Sequence, residues 1–278
     1  MDETICSVAG GKPFEGMVHV PLGNGGALVE ARFLARPNRF LVEAELDGAV
    51  VQAHLADRGR LKETLFPGAR LLLARQAGVG RKTAFQAVAA YRPVLSNELK
   101  VLRSESFVTG SDAVHSPLTT HHSPLTSLDT HLPNRLIEAA LRAGALPQFV
   151  DYPHIRREVT VGASRFDFQL TDGEFRCTVE VKSAGYVEDG VAWFPDAPTA
   201  RGRRHLDELA VLAREGERAA VVFVAQGAAQ SVALNRVIDP EFAAALHEAA
   251  AAAVEIYAFA CPLSWDGITL GNGIPVQF

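Results

Sequence analysis

The sequence of 278 residues is poor in cysteine and contains no long apolar run. Its three cysteines, Cys6, Cys177 and Cys261, are an odd number at unrelated spacings, which argues against a disulfide framework or a zinc knuckle. No segment approaches the ~18 uninterrupted apolar residues of a membrane span, and the first residues lack the basic and apolar regions of a signal peptide. We therefore expect a cytoplasmic protein with reduced thiols and no membrane partner.

Lysine is also scarce, and the charge is unevenly distributed. Five of the 27 basic residues are lysines, and the formal net charge is −5. Residues 1–103 contain 14 Lys and Arg against 10 Asp and Glu, whereas residues 104–278 contain 13 against 22. A polyanionic partner is therefore expected to contact the first part of the chain, although the net charge of the whole chain is negative.

The first part of the chain has the pattern of a small β domain. Short strands with period-two alternation run from residue 14 to residue 103 and are separated by the turn signals GNGG, PN and DG. Five or six such strands, with one helical turn in DRGRLKETLFPG, are typical of a Greek-key barrel such as the oligonucleotide-binding (OB) fold. A plain β-sandwich is the alternative. The sequence predicts an OB-fold-like DNA-binding β domain over residues 1–103.

Residues 104–131 have no apolar periodicity and contain a short tandem repeat. HSPLTTH is followed directly by HSPLTSL, in a stretch rich in Ser, Thr, Pro and His. This composition predicts a linker or insertion. A metal-binding tract through His115, His121 and His122 is the less favoured alternative, because no carboxylate or cysteine completes a ligand set.

From residue 132 onward, helices and strands alternate. The pattern predicts a helix, three strands, a helix over 200–214 capped by Thr199, the buried strand AAVVFVA, an alanine-rich helix and a last strand. The dipeptide Asp172-Gly173 predicts a hairpin between the second and third strands. The fold class is thus α+β with two domains, the second being an α/β sandwich over residues 132–278.

The third of these strands carries Glu180-Val181-Lys182, and Asp167 lies on the strand before it. Side chains two apart on a strand share a face, and the hairpin can place Asp167 beside Glu180. The order matches the PD-(D/E)xK nuclease core, with Asp167 and Glu180 as ligands of Mg²⁺ or Mn²⁺ and Lys182 activating water for phosphodiester hydrolysis. The alternative is a cross-strand salt bridge on a solvated face.

Five further residues could join this site. Glu138 lies on the preceding helix and Glu158 on the first strand, although a simple ion pair with neighbouring arginines explains Glu158 equally well. Arg201 and His205 are four apart on one helix face, where they could contact phosphate. Gln226 ends the buried strand, at a sheet edge where ligands often bind.

Several longer motifs, including AHLADRGRLKETLFPG at 53–68, VEVKS at 179–183 and FPDAPTARGRRHLDEL at 194–209, occur in order along nearly the whole chain. In these motifs the sequence resembles the sugar fermentation stimulation protein A family. The resemblance implies an N-terminal OB barrel, a C-terminal PD-(D/E)xK nuclease-like α/β domain, non-specific DNA binding and a role in regulating sugar (maltose) utilisation.

Two functions follow from the residues and the resemblance together. The first is a metal-dependent DNA phosphodiesterase that holds the DNA backbone on the barrel. The second is a catalytically inactive DNA-binding regulatory factor of sugar metabolism. A sugar-phosphate binder is least favoured, since no phosphate-cradling glycine loop follows a strand. The candidate DNA-binding residues of the barrel are Arg36, Arg39, Arg58, Arg60, Arg81 and Lys82.

Overall fold

The computed structural model describes residues 4–5, 16–59, 61–62, 64–76, 81–92 and 125–278. The strands within these ranges are β1 (Thr4–Ile5), β2 (His19–Pro21), β3 (Leu28–Asn38), β4 (Leu41–Leu46), β5 (Ala49–Leu55), β6 (Arg70–Arg75), β7 (Phe85–Tyr91), β8 (Leu125–Ser127), β9 (His154–Val161), β10 (Ser164–Thr171), β11 (Arg176–Ala184), β12 (Tyr186–Glu188), β13 (Val191–Phe194), β14 (Arg218–Gln226), β15 (Ser231–Leu234), β16 (Glu255–Cys261), β17 (Gly267–Thr269) and β18 (Val276–Gln277). The α-helices are α1 (Leu132–Arg142), α2 (Ala200–Arg214) and α3 (Pro240–Ala251). No helix in the described ranges is both long and apolar enough to cross a membrane.

Five strands close into a barrel in the unit that spans residues 28–128. β3 pairs antiparallel with β4 and β6, β4 with β5, and β6 with β7. A parallel pairing of β5 with β7, at Ala53 opposite Phe85, completes the circle. This strand order is that of the OB fold. The predicted barrel is therefore confirmed, and the β-sandwich alternative is not what the chain forms.

Local sequence explains how the barrel is built. β4 and β5 are joined by Asp47 and Gly48, both with positive φ (52° and 78°), which is the backbone of a two-residue hairpin turn. Alternate residues of the strands point inward, so that Val42, Ala44 and Leu55 are completely buried. The barrel core follows from the period-two pattern of the sequence.

The ends of the two units differ from the boundaries that the sequence suggested. β2 pairs with β17, and the amide of Leu270 donates to the carbonyl of Val18, so the described residues before 28 belong to the unit of residues 129–278. The last residues of the predicted linker form β8, which pairs with β7, and Leu128 is buried in the barrel core. Residues 104–124 of that linker, which include most of the HSPLT repeat and its three histidines, lie outside the described residues.

The second unit has an α/β architecture around a five-stranded sheet with the order β16–β14–β11–β10–β9. β9, β10 and β11 are antiparallel, whereas β11, β14 and β16 are parallel. Leu206 of α2 and Phe242 of α3 pack with Phe223 of β14 in one apolar core. A second sheet, with the order β1–β18–β15–β13–β12, was not predicted, because strands of two to four residues are too short for a periodic signal.

Candidate functional site

Glu180 and Lys182 project from β11, the strand at which antiparallel pairing on one side meets parallel pairing on the other. The two side chains share a face, and Lys182 Nζ lies 2.8 Å from Glu180 Oε1. Glu180 is only 5% exposed and Lys182 only 8%. An ion pair on a solvated face is therefore excluded. A buried pair of this kind carries a desolvation cost and calls for further partners.

His205 of α2 is the second partner of Glu180. The His205 side chain is buried, its Nδ1 lies 2.6 Å from Glu180 Oε1, and its ring packs against Phe166. Its other nitrogen, Nε2, accepts a hydrogen bond from Arg201 Nε at 3.3 Å. Because Nε2 is the acceptor, Nδ1 carries the proton and donates to the carboxylate. Glu180 Oε1 thus accepts two hydrogen bonds, one from the helix and one from its own strand.

Asp167 lies on β10 where its pairing with β11 ends, one residue before the pair of Phe168 with Val179. Its Oδ2 accepts a hydrogen bond from the amide of Val181 at 2.8 Å. Its Oδ1 accepts one from the side chain of Asn134 on α1 at 2.5 Å. The Asp167 carboxylate is therefore held between the end of the hairpin and a helix.

The pKa values of the two acids move in opposite directions. Burial, and then the charge of Glu180, raise the pKa of Asp167 to about 6, against the opposing hydrogen bonds from Val181 and Asn134. Burial alone would raise the pKa of Glu180 as well, but the hydrogen bond from His205 and the charge of Lys182 outweigh it and lower that pKa. Carboxylates that are close together and have separated pKa values are common at functional sites.

One oxygen of this cluster has no donor. Glu180 Oε2 is buried and has no hydrogen-bond partner among the residues that the structure describes. Since most buried polar atoms are hydrogen-bonded, Glu180 Oε2 is the oxygen of this cluster that can accept a further partner.

The remaining predicted acids lie in ion pairs. Glu138 accepts from Arg142 at 3.0 Å and from Arg157 at 2.7 Å. Glu158 is 2.9 Å from Arg165 in an exposed pair. Neither carboxylate has a hydrogen bond to the Glu180 cluster among the described contacts.

Gln226 is also separate from the cluster. Its Nε2 donates to Ser183 Oγ at 2.7 Å, and Ser183 is in register with Val224. Because side chains alternate along strands, Ser183 and Gln226 lie on the sheet face opposite to that of Lys182. Gln226 Oε1 is buried without a hydrogen-bond partner in the described part of the chain.

Asn134 is the site residue that sequence reasoning missed. It belongs to the motif LPNRL at 132–136, near the start of α1, and its amide binds Asp167. The available signal was an amide side chain in the first turn of α1, between Pro133 and Arg135. Its contact with β10 could be found only from the packing of α1.

The candidate DNA-binding residues of the barrel have different roles. The Arg36 guanidinium donates to the carbonyls of Gly59, Asp57 and Arg39, so it holds the segment after β5 in place. Arg39 and Arg58 lie over the exposed ring of Phe40, at 5.1 and 5.0 Å from its centroid.

The last three candidates lie further along the barrel segment. Arg81 donates to Gln76 Oε1 at 2.6 Å, and Lys82 is exposed. Arg60 lies outside the described residues. The barrel therefore presents at least four basic side chains at its surface, two of them stacked on one aromatic ring.

Comparison with known proteins covers both units. Residues 131–267 match the family model described as the sugar fermentation stimulation protein RE domain, and residues 34–98 match the SfsA N-terminal OB domain. A sugar fermentation stimulation protein homolog from Chloroflexus aurantiacus is 49% identical over 93% of this chain and 89% of its own. One from Moorella thermoacetica is 44% identical over 94% and 99%.

A solved structure also resembles this chain. The structure of Pyrococcus furiosus SfsA in complex with Ca²⁺ is similar with a TM-score of 0.74 and 27% sequence identity. The similarity covers 93% of this chain and 99% of that one.

Proposed function

This chain belongs to the sugar fermentation stimulation protein family, and we propose that it is a non-specific DNA-binding protein that hydrolyses DNA phosphodiesters with a divalent metal. The observation that carries the proposal is a pair of acids, partly buried Asp167 and buried Glu180, beside the buried ammonium of Lys182. Two close carboxylates repel each other in a low-dielectric setting unless a cation lies between them. The three residues also follow the order of the PD-(D/E)xK nuclease motif.

The donors at this site suit Mg²⁺ or Mn²⁺. Glu180 Oε2 and the Asp167 carboxylate would hold the ion, and both supply oxygen. Among the described residues, no three His, Cys, Asp or Glu side chains are grouped to hold a metal ion by themselves. Mg²⁺ is commonly bound by one or two carboxylates, with waters and substrate phosphates completing the shell. The Pyrococcus furiosus relative is described in complex with Ca²⁺, another cation that prefers oxygen ligands.

Lys182 is the residue that faces the reacting water in this proposal. When bound, a divalent cation lowers the pKa of water and offsets the charge of a phosphate. The Lys182 ammonium has three N–H donors, and Glu180 Oε1 accepts one of them. The other two can orient the attacking water and stabilise the charge that develops on the phosphate oxygens.

The barrel supplies the DNA affinity. Arg39, Arg58, Arg81 and Lys82 are exposed and carry the charge that phosphates attract. Arg36 acts indirectly, because its guanidinium is engaged by carbonyl groups. Binding of this kind depends on the backbone and not on base sequence, so affinity should fall steeply between low and physiological salt.

The test is cleavage of single- and double-stranded DNA in Mg²⁺, Mn²⁺ or EDTA. The parent is compared with Glu180→Gln and Lys182→Met, and with Glu98→Gln as a matched control in the second E-x-K tripeptide, Glu98-Leu99-Lys100. We expect metal-dependent cleavage by the parent and by the control, and a loss of at least a hundredfold in the other two, in the range of general acid and base contributions.

DNA binding is measured on the same samples, so that the two functions are separated. DNA retention without cleavage under every divalent metal would overturn the phosphodiesterase proposal. That result would favour the second candidate, a catalytically inactive DNA-binding regulatory factor; the family name refers to sugar fermentation, the process that such a factor would regulate.

A further inference from the structure

We propose that Arg201 and His205 extend the site just described. In this proposal, Arg201 contacts a DNA phosphate and His205 is a positioning residue that fixes which oxygen of Glu180 is available to the metal. The inference rests on the proposed function and adds two residues with different tasks. Its basis is a continuous chain of hydrogen bonds from the surface to Glu180, through the first turns of α2.

The start of α2 is held rigidly. The Thr199 hydroxyl accepts from the amide of Gly202 at 2.9 Å, and the Thr199 amide donates to Asp239 at 2.7 Å. A Cβ on Gly202 would lie 2.7 Å from the Thr199 hydroxyl oxygen, so only glycine fits at this approach. The backbone that carries Arg201 and His205 is therefore fixed before any ligand binds.

His205 connects the two ends of the chain of hydrogen bonds. Both ring nitrogens are used, Nδ1 toward Glu180 Oε1 and Nε2 toward Arg201 Nε, so one tautomer is fixed. Together with Lys182, His205 saturates Oε1, whereas Oε2 has no donor in the described part of the chain. The carboxylate is thereby oriented with one oxygen committed to protein and the other free for a ligand. Partners of this kind around metal ligands commonly tune affinity.

Arg201 is the arginine near the start of α2 that joins the hydrogen-bond chain to Glu180. Arg203 is paired with Asp239 and Glu241, and exposed Arg204 donates from Nε to Ser164, outside that chain. Arg201 is exposed and donates only from Nε in the described structure, which leaves its terminal nitrogens without a protein partner there.

A cation in the first turn of a helix opposes the helix dipole, and a phosphate offsets this cost. The free edge of the Arg201 guanidinium has the fork of donors that binds phosphate in a bidentate manner. His205 also holds Arg201 in a defined direction, since Nε is already engaged. In this proposal a phosphate of bound DNA occupies this edge, while Glu180 would hold the metal.

The test uses variants that separate the two tasks. His205→Ala removes both hydrogen bonds, whereas His205→Asn keeps a donor close to the position of Nδ1 and loses the contact to Arg201. Arg201→Gln removes the phosphate contact and the Nε donor to His205, but leaves the hydrogen bond between His205 Nδ1 and Glu180 in place. Arg214→Gln, an exposed position in the last turn of the same helix, is the matched control for loss of one charge.

Two readouts do not depend on cleavage, namely Mn²⁺ affinity without DNA and the salt dependence of duplex binding. We expect His205→Ala to weaken Mn²⁺ binding by about 10- to 100-fold and His205→Asn to restore most of it. Arg201→Gln should leave Mn²⁺ affinity unchanged and reduce the slope of log K against log salt by about 0.9. Arg214→Gln should change neither quantity by a comparable amount.

Glu180→Gln separates failure of this inference from failure of the proposed function. If Glu180→Gln does not weaken Mn²⁺ binding, the proposed metal site itself is wrong. If Glu180→Gln abolishes Mn²⁺ binding but a folded His205→Ala protein binds Mn²⁺ like the parent, the positioning role is wrong. A parent-like salt slope in Arg201→Gln would overturn the phosphate contact. Thermal melts show whether each variant is folded. If His205→Ala does not fold, His205→Asn keeps the test valid.

Discussion

The raised pKa of Asp167 makes a quantitative prediction about stability in the absence of metal. Burial and the neighbouring charge of Glu180 raise the pKa of Asp167 from 3.8 to about 6. At a pH between these two pKa values, the Asp167 carboxyl is mostly ionised in the unfolded chain but still mostly protonated in the folded one. The unfolded state then binds fewer protons, so the free energy of unfolding falls as pH rises through this window.

The size of the effect follows from the same shift. At 1.36 kcal/mol per pH unit, the protein loses up to about 3 kcal/mol of stability between pH 4 and pH 7 through Asp167 alone. Asp167→Asn removes this titration and retains an acceptor for one of the two hydrogen bonds from Val181 and Asn134. The free energy of unfolding of Asp167→Asn should therefore rise relative to that of the parent as pH rises, and the difference should level off above pH 7.

The assay is urea unfolding of parent and variant from pH 3 to pH 8 in EDTA. Glu180→Gln provides a control of opposite sign, because the lowered pKa of Glu180 stabilises the parent above pH 4.5 and that contribution is lost as pH falls. Adding Mg²⁺ at pH 7 should reduce the penalty at Asp167, since the ion binds the folded carboxylate. A stability difference between parent and Asp167→Asn that does not change with pH would refute the reasoning.

Three further results are expected. Lys182→Met should cost about 3–5 kcal/mol of unfolding free energy, because it removes the cation beside the buried Glu180 carboxylate and leaves His205 as its donor. The double variant with Glu180→Gln should lose less than the sum of the two single losses, and additive losses in urea unfolding would contradict this. Gly202→Ala should cost about 1–3 kcal/mol, seen as a lower urea midpoint, because its Cβ meets the Thr199 side chain. In DNA-binding titrations, Arg58→Gln should lower the salt slope by about 0.9 with the thermal midpoint preserved. Arg36→Gln should instead lower the thermal midpoint, since it removes donors to backbone carbonyls; the reverse pattern would show that the two roles are exchanged.

Much of the local structure was predictable from residue pattern. Helix α2 begins and ends where the apolar stripe and the Thr199 cap placed it, at Ala200 and Arg214. The buried strand AAVVFVA lies within β14, and the barrel closes in the predicted OB order. These features depend on near neighbours, so a periodic pattern is sufficient to find them. The pairing of β2 with β17 joins residues about 250 positions apart, and no local pattern indicates it.

The candidate site was likewise predictable in part from the sequence and in part only from tertiary packing. Spacing along the chain identified Asp167, Glu180 and Lys182, because a strand places alternate residues on one face. The contact of His205 with Glu180 spans 25 positions, and that of Asn134 with Asp167 spans 33. Each contact requires a helix docked on the sheet, α2 for His205 and α1 for Asn134. The geometry of each contact therefore depends on how its helix packs.

The sequence by itself determined which acids and which lysine are candidates for one site, because their types and spacing are present in the linear pattern. Tertiary structure decided that Glu180 and Lys182 are buried, that Oε1 is committed to two donors, and that Oε2 has no donor among the described residues. It also decided that Gln226 faces away from this cluster and that Arg36 supports the barrel. The physical reason is that burial and hydrogen-bond saturation depend on what packs against a residue, which local spacing does not specify.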